Sequence, residues 1–223
     1  MLSQVLRFTL PPLTTVSSSA FLTLLRVAAA AGASKQYYGY TTVSKSPLPR
    51  KRHEVCWVIH WADNADRNNV IAELNKISTQ DATSLLFRFT DAQLVDLENA
   101  LQAPVCEFAH VRLSDGTTLS DPALQTSMHK TYADTFKLVG FTGGYWAYAL
   151  NTNETSGVPT AAESGEWVPE GERRLGVYVL GWESIELHED AAKTPEFAEE
   201  IIKLGPHFGP GTGAWYAKLR QYE

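Results

Sequence analysis

Short continuous apolar runs alternate along this chain with longer stretches in which apolar residues recur every third or fourth position. The runs read as strands and the stretches as helices. In the first part the pattern predicts a strand over 4–10, stopped by Pro11 and Pro12. A helix follows, capped among Ser17 to Ser19 and carrying Phe21, Leu24, Leu25, Val27 and Ala28, with Gly32 at its end. Next come a Tyr-rich strand over 36–43, a polar hinge over 44–52, a strand over 54–61, a helix over 63–77 and a strand over 84–90. Asp91 is positioned to cap a further helix through Leu94, Leu97 and Leu101, closed by Pro104.

The same order then returns. A strand is predicted over 105–113. The following helix starts at Ser120-Asp121-Pro122, with a stripe of Leu124, Met128, Tyr132, Phe136 and Val139, and ends at Gly140. Strands over 141–150 and 175–182 flank a polar segment over 151–172, and a helix from Ser184 to Leu204 leads to a last strand over 213–222. Leu10 to Val16 aligns with Leu113 to Leu119, Gly32 with Gly140, and Trp61 with Trp182. The chain is therefore read as a repeat, βαββαβ twice, with units over 1–90 and 105–223 and a connector over 91–104.

Each unit has one sheet face without helices, which must be covered. The expectation is an α+β fold of two fused ferredoxin-like units packing sheet to sheet as a pseudo-dimeric α/β barrel. A monomer already satisfies this, and edge pairing could add a homodimer.

Composition narrows the classes. The 223 residues are 44% hydrophobic and 20% charged, which provides a core and excludes global disorder. Net charge −6 argues against nucleic acid as a partner. Residues 1–53 hold seven basic and no acidic residues. That resembles a transit peptide in composition, but the segment has its counterpart in the second half and is read as part of the fold. No run is long enough for a membrane helix. Cys56 and Cys106 sit in predicted strands and are read as small buried thiols, consistent with a reducing, cytoplasmic compartment.

The strand Gly176-Val177-Tyr178-Val179-Leu180-Gly181, followed by Trp182-Glu183-Ser184, His188 and Thr194-Pro195-Glu196-Phe197, resembles the antibiotic-biosynthesis-monooxygenase family of the dimeric α/β-barrel superfamily. The doubled layout resembles the tandem, fungal-type version of that family. In the first half, Trp61-Ala62-Asp63 lacks the Ser and the downstream His. The resemblance implies cofactor-free oxygenation or polyketide cyclisation, among other chemistries that share the fold.

A site of that kind needs an acid–base group, a donor for a developing oxyanion and apolar walls. His110, His188 and Tyr148 are the candidate catalytic residues. His110 is either an inward base or a strand histidine, and His188 either polarises a bound carbonyl or holds its helix start. His129, Tyr145, Trp146, Tyr178 and Trp182 are candidate substrate-binding residues, with core packing as the alternative for the aromatics. Gly143-Gly144 would allow close approach of a ligand, and 151–172 would either cover the pocket or form a surface insertion. His60 is read as structural, and His53 and His207 have no assigned role. The sequence has no GxGxxG, P-loop, HExxH, CxxC or GxSxG pattern. No cofactor or metal is therefore expected, although a lone His could ligate haem. The partner expected is an aromatic or polyketide-like small molecule, and the alternative is a non-catalytic binding or structural barrel.

Overall fold

The computed structural model describes residues 1–44, 53–62, 65–162 and 165–223. Most of the predicted hinge, and the Asp63-Asn64 helix start, lie outside these residues. Nine strands and six α-helices alternate: β1 (Leu2–Thr9), α1 (Ser19–Ala30), β2 (Ala33–Ser44), β3 (Glu54–Trp61), α2 (Arg67–Ile77), β4 (Thr79–Arg88), α3 (Asp91–Leu101), β5 (Val105–Arg112), α4 (Pro122–Ala133), β6 (Phe141–Tyr148), β7 (Val158–Pro159), β8 (Leu175–Trp182), α5 (Ile185–Ala191), α6 (Pro195–Leu204) and β9 (Gly213–Gln221).

The strands form one antiparallel sheet in the order β6-β8-β5-β9-β2-β3-β1-β4-β7. Each half contributes four strands in ferredoxin-like order, and the halves join edge to edge where β2 pairs with β9, from Tyr37↔Gln221 to Thr41↔Ala217. At the other end the sheet curls back on itself: the Leu150 amide donates to the Leu86 carbonyl at 2.8 Å, and β7 pairs with β4. The inner faces of both halves share one core, including Val5, Tyr37, Val58 and Phe87 from the first and Phe108, Val177, Val179 and Trp215 from the second. Separate apolar layers lie between the outer faces and the helices of each half.

The segment predicted as a connector, now α3, also fills the barrel. Leu94, Leu97, Ala100 and Leu101 are buried in the shared core. Gly143 and Gly181 make room for it: a Cβ on Gly143 would lie 2.7 Å from Asn99 Cβ, and one on Gly181 2.6 Å from Ala100 Cα. The Gly143 approach is thus to a helix and not to a ligand. Thr90, rather than Asp91, caps α3, through a reciprocal pair with Gln93.

Two predicted helices are shorter than expected. The one predicted from Ser184 to Leu204 breaks into α5 and α6, because Pro195 has no amide to continue the ladder and Thr194 caps a new start. Helix α4 gives way to a 3-10 turn at Asp134–Lys137, which turns Phe136 (53% exposed) and Val139 (76%) out of the predicted stripe. The described part of the segment 151–172 is not a free insertion: Glu170 and Gly171 near its end line the cleft that holds Tyr148 and Gln125. Asn151 bridges the Leu86 amide and the Ser84 carbonyl, and Thr160 donates to Asn75, so its first part straps the seam between halves. Among the described residues, no helix is long and apolar enough to cross a membrane.

Candidate active site

The first five residues of β5, Val105-Cys106-Glu107-Phe108-Ala109, are apolar except for Glu107. Alternation sends Cys106, Phe108 and His110 to the inner core and Glu107 outward, beneath α4, α5 and α6. Its side chain is 4% exposed. Trp182, at the end of β8, donates from Nε1 to Glu107 Oε2 at 2.9 Å. Ser184 then caps α5 by accepting from the Leu187 amide, which sets His188 over Trp182 with ring centroids 4.9 Å apart. His188 Nε2 lies 3.2 Å from Glu107 Oε2, and its Nδ1 lies 2.7 Å from the Tyr216 hydroxyl. Tyr216 comes from β9, directly opposite Glu107 in the ladder.

The result is a buried chain, Glu107–His188–Tyr216, in which Trp182 donates to the carboxylate and His188, hydrogen-bonded to Tyr216, lies within ion-pair distance of it. Burial raises the Glu107 carboxyl above the usual carboxylate range, partly offset by His188 and by the Trp182 hydrogen bond. Burial likewise pushes the Tyr216 phenol up, helped by Glu107 and Glu189.

This chain borders a cavity of about 80 Å³ between the sheet and α4–α6, walled by Ala109, Val111, Leu138, Leu180, Phe197 and Ile201. Helix α6, which forms one side, buries only Glu200 and Leu204. Its attachment to α4 is polar: Glu200 accepts from Ser127 at 2.6 Å, Lys130 at 2.9 Å and Lys203 at 3.0 Å. Burial alone would raise the Glu200 carboxyl, but these three donors hold it at about 2.

The predicted site residues separate into four places. His188, Tyr178 and Trp182 border this cavity. His110 is on the opposite face of β5, in the barrel interior, where Trp215 Nε1 donates to its Nε2 at 3.4 Å. Burial, with Arg7 nearby, lowers its pKa to about 3, so it is a neutral core histidine. Tyr148 lies in a distinct surface cleft of about 420 Å³ with Gln125, Arg173 and Arg174. His129 is exposed and accepts from Trp146 Nε1 at 3.4 Å, and Trp146 stacks on Tyr178 outside the cavity. Tyr145 packs on Tyr132 and Phe89, beside the inner core. Strand-face alternation and helix position set these candidates apart.

Glu107 and Tyr216 were absent from the predicted set. A carboxylate inside an otherwise apolar run of a central strand, paired with a Trp of the neighbouring strand, was the available signal for Glu107. Nothing local marks Tyr216, whose role depends on strand pairing across the repeat.

The first half carries the same frame with other side chains. Gln4 occupies the place of Glu107, and Trp61 Nε1 donates to its Oε1 at 3.0 Å. Leu86 stands opposite Gln4 where Tyr216 stands opposite Glu107. Leu6 and Trp57 face each other in the ladder where the second half has Ala109 and Tyr178, and Phe8 takes the place of Val111. Phe21 packs on Phe8, Tyr38 and Trp57, filling the layer.

No protein-family model matches the chain. A search of curated proteins likewise finds no match. Solved structures do match in fold. A candidate monooxygenase from Fusobacterium nucleatum subsp. nucleatum is similar over 100% of this chain and 92% of its own, at 8% identity and a TM-score of 0.56. One from Lactobacillus acidophilus is similar over 99% and 93%, at 9% identity and 0.51. An anthrone oxidase-like protein is similar over 99% and 92%, at 9% identity and 0.53. At these identities the likeness shows the fold alone.

Proposed function

We propose that the protein is a cofactor-independent enzyme of aromatic or polyketide-type secondary metabolism, acting in the second-half cavity on a flat phenolic or enolic substrate. The observation that carries this reading is the buried Glu107–His188–Tyr216 chain opening on an apolar cavity, where the first half has Gln4 and Leu86 in a filled layer. Emptying a layer that the sister half fills costs stability: at about 24 cal/mol per Å³, 80 Å³ corresponds to roughly 2 kcal/mol. A site kept at that expense, and equipped with acid–base groups, favours catalysis over a purely structural role.

The chemistry begins with loss of a proton to a group of the chain. An electron-rich anion then reacts with dioxygen. For a ring CH2 activated by a carbonyl, CH2 becomes C=O, one oxygen atom enters the product and the other leaves as water. The substrate supplies all four electrons. The likeness in fold to the candidate monooxygenases and to the anthrone oxidase-like protein supports this direction. Cyclisation from the same anion is the second reading, favoured by the small, nearly dry cavity. The reading takes the protein as a cytoplasmic monomer whose two halves stand in for a dimer.

The test is aerobic incubation with phenolic and polyketide-like compounds, followed by mass. A net gain of one oxygen with loss of two hydrogens, without added flavin or metal, supports the oxygenase. An unchanged mass with a new retention time supports cyclisation. Binding without conversion transfers the case to a non-catalytic binder.

A further inference from the structure

Within that reading, the geometry distinguishes which member of the chain takes the proton. His188 is the obvious base by residue type, but its Nδ1 is hydrogen-bonded to Tyr216 and its Nε2 is turned toward the Glu107 carboxylate, 3.2 Å from Oε2. Glu107 Oε2 is similarly occupied by Trp182 and His188, whereas Oε1 has no hydrogen-bond partner among the described residues, and the side chain borders the cavity.

The sister half supplies a control. Gln4 holds Trp61 at 3.0 Å as well as Glu107 holds Trp182 at 2.9 Å. An amide therefore suffices to anchor the indole and satisfy its N–H. It also avoids burying a carboxylate, which is costly unless the charge is paired. Anchoring alone does not account for Glu107, His188 and Tyr216 standing together around one carboxyl group.

We propose that Glu107 is the catalytic base, that its Oε1 accepts the proton of a neutral carbon or phenolic acid bound in the cavity, and that His188 and Tyr216 are positioning residues. In the step, a C–H or O–H bond of the substrate breaks and its electron pair stays on the substrate as an enolate or phenolate. The proton forms an O–H bond at Oε1. The negative charge passes from carboxylate to substrate, with no oxidant or metal required. The Nε1–H of Trp182 holds the carboxylate in place, His188 Nε2 stands beside it at 3.2 Å, and the hydrogen bond between Tyr216 and Nδ1 orients the imidazole. Burial that makes the carboxyl more basic suits it to this role.

Glu107 meets few other charges. The turn after α4 presents Thr135, α4 Thr131, and α6 Phe197 and Ile201, while Glu189 acts on Tyr216. Burial therefore sets the direction of its titration, and His188 is the charged neighbour that opposes it, with the Trp182 hydrogen bond.

The experiment is solvent exchange, which needs no knowledge of the natural substrate. The full chain is incubated in D2O with 2-indanone, a flat carbon acid, and loss of the CH2 proton signal is followed by NMR. The wild type is expected to accelerate exchange over buffer. Glu107→Gln, which copies Gln4, is expected to lower the acceleration about 100-fold or more. Ala109→Leu, which leaves Glu107 in place but fills the cavity, is expected to abolish it. His188→Gln is expected to retain exchange with the midpoint of its pH profile moved upward, because the carboxylate loses a stabilising partner. Exchange at the wild-type rate in Glu107→Gln overturns the proposal, as does a wild type no faster than buffer, or a His188→Gln loss that Glu107→Gln does not reproduce. Exchange that depends on Glu107, with no product in the aerobic panel, would instead retain the base and reject the proposed reaction. Product formation that survives Glu107→Gln would do the reverse.

Discussion

The two halves share a backbone plan and differ in what lies between sheet and helices. In the first, Leu6, Phe8, Trp57 and Phe21 fill the layer, and Gln4 anchors Trp61. In the second, Ala109 and Val111 leave a cavity, and a carboxylate, a histidine and a phenol meet beside it. Helix attachment differs in the same sense. Helix α2, the counterpart of α6 in the repeat, buries two apolar residues, Val70 and Leu74, whereas α6 buries Leu204 and Glu200, the latter inside an ion cluster. The comparison teaches that the fold requires an indole anchored to β1 or β5, but not a carboxylate, a cavity or a polar latch. The proposed function assigns those three to the second half's activity.

The largest effect expected is one the halves share. Trp61→Ala and Trp182→Ala each remove a fully buried indole and should each cost about 3–5 kcal/mol by denaturant unfolding. A cost confined to one of them would break the equivalence of the two frames.

Acid separates the halves next. Glu200 has its carboxyl held at about 2 in the fold against 4.5 unperturbed. Its stabilising contribution is therefore present above about pH 4.5 and is lost as pH falls toward 2. That contribution is at most about 3 kcal/mol, and less because Lys130 and Lys203 are 42% and 48% exposed. Hydrogen exchange in α6 should accelerate over that window before exchange in α1, and Glu200→Gln should flatten the dependence. Buried His60 and His110, lowered to about 4 and about 3 mainly by burial, add a global loss that begins as pH falls below 6.5. Simultaneous opening of α1 and α6 would remove the latch from the account.

Ala109→Leu makes the second half resemble the first. It should raise stability by up to about 2 kcal/mol and eliminate binding of small apolar ligands, measured by thermal shift and titration. Glu107→Gln should change unfolding free energy by less than about 1 kcal/mol, since the Gln4–Trp61 pair shows the amide in the same place. A large destabilisation would mean that the carboxylate is structural after all.

Much of the fold was legible because both periodicities and the repeat are encoded locally. Trp61 and Trp182, Gly32 and Gly140, and the strands before them mark the same frame twice. The break at Thr194-Pro195 was equally visible, and was overridden by the apolar spacing through Ile201. The role of α3 was not legible, since Leu94, Leu97 and Leu101 give the same stripe whether a helix lies on a surface or plugs a barrel. The site was legible only in its Trp182–His188 part. Residues an odd number apart on a strand lie on opposite faces, so His110 and Glu107 occupy opposite sides of β5, and the proposed site rests on a carboxylate that the sequence reading did not single out. Tyr216 comes from the far end of the chain and meets His188 only through sheet pairing.

The central claim is that the second half holds the working site on a frame the first half merely repeats. The indole N–H groups of Trp182 and Trp61 are matched reporters of the two layers. Their assigned nitrogen–proton NMR signals, followed while indole is added to the full chain, test the claim directly. The account predicts a saturable shift at Trp182 and none at Trp61. Equal shifts at both, or a shift at Trp61 alone, would contradict it.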